Sequence, residues 1–213
     1  MTALLYKELR LSAHPTLYLF TLLGALVLVP SYPYGMVFFF GCLGIYFSVL
    51  NARENNDVFY TAVLPVSKTG LVYAKCLTAF LIQLCQMILS LPFAFFRIFL
   101  IPDDNSVGIE ANAAYYGFGF LIYAVFNLLF FPEYYKTGYK LGKAFILAII
   151  PVFLLIFLME ALSHFPGMEW IDSVEREALR KQFLILFSGI LFYIVSSLLT
   201  CRISAKRFLL VDL

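Results

Sequence analysis

Long apolar blocks leave this chain few folds to choose from. From Ala144 to Leu162 the one charged side chain is Glu160, and from Phe183 to Thr200 there is none. Blocks of about 20 apolar residues are what it takes to cross the ~30 Å hydrocarbon core of a bilayer as a helix. The apolar residues fill whole blocks rather than a stripe of helical period, so no face is left for water. A β-barrel would instead show alternating segments of ~10 residues. The pattern predicts an all-α membrane protein, a single transmembrane domain over residues 1–213.

Six spans are predicted, at about 16–29, 36–50, 77–101, 115–131, 144–162 and 183–200. The third exceeds what a bilayer needs and should tilt or protrude. Ahead of the first, Leu4, Leu5, Leu9 and Leu11 interleave with Lys7, Glu8 and Arg10. This reads as a short amphipathic helix in the interface, ending at His14-Pro15. The first block runs into Pro30 without a small-residue cleavage site, so no cleavable signal peptide is expected. Lys7, Arg10, Arg53, Lys68, Lys75, Lys136, Lys140, Lys143, Arg202, Lys206 and Arg207 fall on one side of this topology. Asp103, Asp104, Glu110, Glu169, Asp172, Glu175 and Glu177 fall on the other, with Arg176, Arg180 and Lys181. The positive-inside rule then puts both termini in the cytosol of a multi-pass protein.

The net charge of +2 gives no argument for nucleic acid as a partner. Cys42, Cys76, Cys85 and Cys201 form no C-x-x-C pair and read as buried, reduced fillers, not as a metal or redox site. Lys68-Thr69 follows no glycine-rich phosphate cradle, H-E-x-x-H is absent, and His14 and His164 lie far apart. No catalytic residues and no cofactor of the chain's own are expected. Energy for uphill movement would come from a partner or an ion gradient.

Three polar residues within the spans are candidates for a translocation pathway: Arg97, Glu160 and Asn127. Arg97 and Glu160 either anchor at the interface, as long side chains near a helix end do, or form a polar patch and even an ion pair along a path. Asn127, with Gln83 and Gln86, also fits a role as glue between helices. The 24 Phe and 14 Tyr divide between interfacial belts, lipid-facing bulk and, at Phe38–Phe40 and Phe93–Phe99, a conceivable greasy path.

The polar stretch Asn51–Lys75 stands out against this background. Its Leu64-Pro65 break and Ser67-Lys68-Thr69-Gly70 turn predict a short ordered element outside the bilayer. Glu54-Asn55-Asn56-Asp57, then Leu64-Pro65-Val66-Ser67-Lys68, then Leu71-Val72-Tyr73-Ala74-Lys75 resembles the first cytosolic loop of ABC-2-type transporter permeases, in the short six-span branch of bacterial exporters. Phe131-Pro132-Glu133-Tyr134-Tyr135-Lys136-Thr137-Gly138-Tyr139-Lys140 is similar to that branch's loop before the fifth span, and Leu5-Tyr6-Lys7-Glu8-Leu9 fits its interfacial helix.

The resemblance implies the permease subunit of an exporter in a bacterial cytoplasmic membrane. It implies a partner permease, a second copy or a relative, and a separate cytosolic ABC ATPase that binds the ATP and Mg. The cargo would be an amphipathic peptide, drug or lipid-like molecule. The ATPase would dock on a coupling helix at Glu54–Val63, ended by Leu64 and Pro65. Phe59 and Tyr60 would be its aromatic anchors, since such residues dominate interfaces. Glu54 and Asp57 would be its polar contacts. Pro132, Glu133, Tyr134 and Gly138 mark the second cytosolic loop. The rival reading is a non-transporting membrane module that sequesters a toxic peptide or regulates a partner; it would not need an ordered docking loop.

Overall fold

His14 and Pro15 set the first corner of the chain. In the computed structural model, which describes residues 1–100, 105, 107–137 and 140–211, with the side chains of all but Ala62 and Leu100, helix α1 (Thr2–Lys7) continues as a π-helical turn, Glu8–Ser12. The backbone is then extended at Ala13 and His14. The His14 ring accepts from the amide of Thr16, and Pro15 starts helix α2 (Pro15–Leu22) at the one helical position where a missing N–H costs nothing. A 3-10 segment, Leu23–Leu28, extends α2. The arm Thr2–Ser12 stands at 88° to Pro15–Leu28.

Helices α3 (Gly35–Glu54), α4 (Asp57–Ala62), α5 (Lys68–Leu100), α6 (Ala113–Thr137), α7 (Leu141–Leu162) and α8 (Arg176–Leu209) follow, with a 3-10 turn at Glu169–Ile171 before α8. Among the described residues five helices, α3 and α5 to α8, are long and apolar enough to cross a membrane, and the bent N-terminal pair is a candidate sixth. α2 with its 3-10 extension rises only ~24 Å, at ~1.5 and ~2.0 Å per residue. The two ends of the bundle are fixed by long-range contacts. At one, Lys7 meets Asp57 and Lys68 donates to the carbonyl of Val211. At the other, Tyr34 meets Arg97. With the bent N-terminal pair counted, the described helices thus run between the ends up to six times, and the N-terminal arm, α4 and the end of α8 share one end.

Several helices outrun the apolar blocks that announced them. α5 begins at Lys68 and α8 spans Arg176–Leu209, because polar turns prolong a helix once its apolar part is packed. Pro132 does not open a loop: α6 runs through it to Thr137. Pro92 and Pro151 are likewise inside helices. Such prolines survive where neighbours satisfy the freed backbone groups.

α6 is the central helix, with 67% of its apolar window buried against 22% for α7 and α8. Phe126, Phe130, Phe131, Tyr134 and Tyr135 run along its buried side, and Phe126 stacks on Phe130. α6 and α8 approach through glycine. A Cβ on Gly189 would lie 2.2 Å from the Gly117 carbonyl oxygen, so side chains larger than hydrogen are excluded from this crossing. Buried amides tie α5 to its neighbours. Gln83 and Asn127 exchange hydrogen bonds of 3.0 and 2.7 Å, and Tyr193 donates to Gln83. Gln86 donates to the carbonyl of Val37 and accepts from Tyr123. Of the cysteines, Cys42 and Cys76 are buried, but Cys85 is exposed on α5, contrary to the filler reading.

Candidate coupling site

α4 is cut from α3 by two asparagines. Asn56 takes a left-handed conformation (φ 51°), which asparagine tolerates better than most residues. At the other side the Ser67 hydroxyl accepts from the Gly70 amide and starts α5. Between these stops lies a six-residue helix, shorter than the Glu54–Val63 element the sequence suggested.

Its two faces differ. Phe59, Tyr60 (73% exposed), Val63 (86% exposed) and Leu64 project outward, with Glu54, Asn55 and Pro65 exposed beside them. The inward face is ionic. Lys7 reaches Asp57 at 2.7 Å, Glu8 at 2.9 Å and the Thr61 hydroxyl at 3.1 Å, which uses all three ammonium donors. Lys75 reaches Glu8 at 2.9 Å and Asp57 at 3.7 Å. Two lysines and two carboxylates thus alternate in a neutral, largely buried cluster that ties the N-terminal arm, α4 and the start of α5 together. Asp57, expected to face a partner, is an internal tie instead. Lys7, Glu8 and Lys75 join the site although nothing in their local sequence sets them apart from other charges at a helix end.

The segment expected to form a second cytosolic loop is reorganised in the same sense. Pro132 and Tyr134 are buried in α6. Glu133 pairs with Lys143 at 3.0 Å and Arg207 at 3.6 Å, and Arg207 also donates to the Pro132 carbonyl. These contacts lock α6, α7 and α8 at the end shared with α4. Gly138 lies outside the described residues.

At the opposite end Arg97 is 1% exposed. Its Nη2 is 3.0 Å from Glu110 Oε1, and its Nε donates to the Tyr34 hydroxyl at 2.9 Å. The same Glu110 oxygen takes the Asn105 amide at 2.6 Å, and the Glu110 amide donates to Asp172. Burial pushes the Tyr34 phenol above its ordinary pKa, opposed by the hydrogen bond and charge of Arg97, so it remains a protonated donor, here to the Val29 carbonyl. Glu160 is not the partner of Arg97. It accepts from the backbone amides of Gly35 (2.6 Å) and Ile109 (3.0 Å), and a Cβ on Gly108 would fall 1.7 Å from its Oε2. Arg97 and Glu160 thus hold the connections at this end onto α3, α5 and α7, and Asn127, fully buried, pairs with Gln83 in mid-bundle. Among the described residues no group of three or more His, Cys, Asp or Glu could hold a metal ion.

The chain therefore carries a short amphipathic helix clamped by ions on one side and bare on the other, at the end of a membrane bundle where both termini lie. No curated protein and no solved structure matches it. The family model described as "ABC-2 family transporter protein" matches residues 3–205, nearly the whole length. This chain belongs to the ABC-2 transporter family and is an integral membrane transport subunit.

Proposed function

We propose that the protein is the non-catalytic permease of an ATP-driven exporter, with its termini and α4 in the cytosol of a bacterium. The observation that carries this reading is the exposed patch Phe59, Tyr60, Val63 and Leu64 on a helix held firmly from behind. An ordered apolar patch rimmed by polar residues marks a docking surface. The ionic cluster suits it to coupling, because a push on α4 is passed to α5 through Lys75 and to the N-terminal arm through Lys7. A separate ABC ATPase, holding ATP and Mg, would seat on this patch with Glu54 at its rim. A second permease, identical or related, would complete the path for an amphipathic peptide, drug or lipid-like cargo.

The test is a pull-down of tagged protein from native membranes in mild detergent. An ATPase subunit should accompany the wild type and be lost from Phe59→Ala/Tyr60→Ala. Truncating an interface anchor typically costs at least ~1–2 kcal/mol, or about tenfold in affinity per 1.4 kcal/mol. Both side chains are exposed, so insertion and folding should be unchanged. Recovery of the ATPase at wild-type levels by the double variant would remove α4 as the docking site. No ATPase with the wild type would return the sequestering module to the lead.

A further inference from the structure

A cleft of about 730 Å³ opens in the side of the bundle, toward the end opposite the termini. It separates α5 from the first turns of α6 and α8, and its walls are apolar: Leu84, Leu91 and Phe95 on one side, Tyr116, Phe183 and Leu186 on the other. Nearer mid-bundle the two helices close again, where Tyr193 of α8 reaches Gln83 of α5. Pro92, next in α5 to the lining residue Leu91, removes the hydrogen bond its amide would give to the carbonyl of Ile88, which lines the cleft.

The cleft opens sideways, since Leu91, Phe95 and Phe99 (68%) on its rim are exposed on a helix long and apolar enough to cross a membrane. From Leu84 to Phe99 it follows α5 for ~22 Å at ~1.5 Å per residue, which covers the ~15 Å hydrocarbon depth of one leaflet. Its volume lies within the ~300–1,000 Å³ range of ligand sites. An apolar void beside lipid gains dispersion contacts by filling with chain, and the polar groups in its lining are already bonded within the protein, Asn112 to the Ile171 carbonyl and the Ala114 amide, and the Tyr116 hydroxyl to Ser90.

Just beyond the lining, the first turns of α8 carry Arg176 and Arg180, with Glu175 and Glu177 beside them. Arg176, Leu179, Arg180 and Phe183 follow i, i+3, i+4, i+7 spacing, so both arginines share the α8 face that presents Leu179 and Phe183 to the cleft. Both are exposed, at the first turns of a membrane-length helix where headgroups lie.

We propose that this cleft binds one phospholipid of the leaflet opposite the termini, its acyl chain along α5 and its anionic headgroup at Arg176 and Arg180. The assignment is independent of cargo and ATPase. The test uses purified protein in vesicles doped with a photoreactive phosphatidylglycerol carrying a diazirine in its acyl chain, with peptide mapping after irradiation. Label should concentrate several-fold on the α5 segment 91–99 and the α8 segment 179–186 relative to the equally apolar α7 face at 146–158. Leu91→Trp, at an exposed wall position, should displace it. Arg176→Gln and Arg180→Gln should each reduce the preference over a phosphatidylcholine probe by about fivefold, the worth of a basic side chain near an anionic surface. Equal label on α7 and the cleft overturns the site. Label only in the monomeric fraction, with the cleft shielded in a dimeric one, overturns it in favour of a second copy. Equal use of both probes overturns the headgroup assignment.

Discussion

Replacing Arg97 by Met removes a guanidinium that is 1% exposed, bonded to Glu110 at 3.0 Å and to Tyr34 at 2.9 Å. Methionine keeps most of the volume, so the change is chiefly electrostatic. It leaves the Glu110 carboxylate buried with the Asn105 amide, while its second oxygen has no hydrogen-bond partner. Removing one member of a buried pair costs about 3–5 kcal/mol, whereas replacing both by neutral groups is often near neutral. Arg97→Met and Glu110→Gln should therefore each destabilise by about 3–5 kcal/mol. The double variant should fall within ~2 kcal/mol of wild type, since the side-chain carbonyl introduced by Glu110→Gln can still accept from the Asn105 amide. The coupling energy from this cycle would then exceed ~3 kcal/mol, far above the 0.3–0.5 kcal/mol scatter of independent sites. SDS titration in mixed micelles, followed by circular dichroism, reads all four proteins, with cargo export measured alongside. A single-variant cost under ~1 kcal/mol, or a double variant as unstable as the sum, would refute the view that the pair is a structural latch. Loss of export from a fully stable Arg97→Met would place Arg97 on the pathway instead.

Three further outcomes follow from the packing. Lys75→Met leaves Glu8 and Asp57 to share Lys7, and should cost about 2–3 kcal/mol, less than a fully buried pair because the cluster's edge is partly solvated. Limited proteolysis should then cut faster between residues 55 and 66, and ATPase recovery should fall with Phe59 and Tyr60 intact; unchanged cutting rejects the clamp. Gly189→Ala drives a methyl into the Gly117 carbonyl and should cost at least ~1–3 kcal/mol by SDS titration; a neutral result would mean α6 and α8 do not touch there. Asn127→Leu removes the amide pair with Gln83 and should cost about 0.6–1.7 kcal/mol while export is retained, because Asn127 is fully buried and its amide is spent on Gln83. A stable but export-dead Asn127→Leu would overturn that assignment.

The fold class was legible because lipid imposes one strong rule: every backbone group must be satisfied inside the segment, so each apolar block has to be a helix. The corner at His14-Pro15 and the break after Leu64 were legible for a similarly local reason, since proline disfavours the helical geometry before it. The same reasoning misread Pro132. Whether a proline ends a helix or sits inside it depends on whether neighbours satisfy the freed groups, and here α6 is packed on several sides.

Partners across the bundle were not legible. Arg97 and Glu160 both lie near helix ends at the same side, so a pairing was an open option. Which carboxylate reaches the arginine is decided by how Glu110 and the Asn105 amide come together and how Gly35 and Gly108 admit Glu160 beside backbone amides. Likewise the order Glu54-Asn55-Asn56-Asp57 marks a polar start to α4, but not that Asp57 turns inward while Phe59 and Tyr60 turn out. By itself the sequence determined the helical class, the apolar blocks and the side on which basic residues gather, since hydropathy and backbone sterics act over a few neighbouring residues. The tertiary structure alone decided the ionic clamp, the latch at Arg97 and the cleft beside α5, because each depends on distances between segments far apart in the chain.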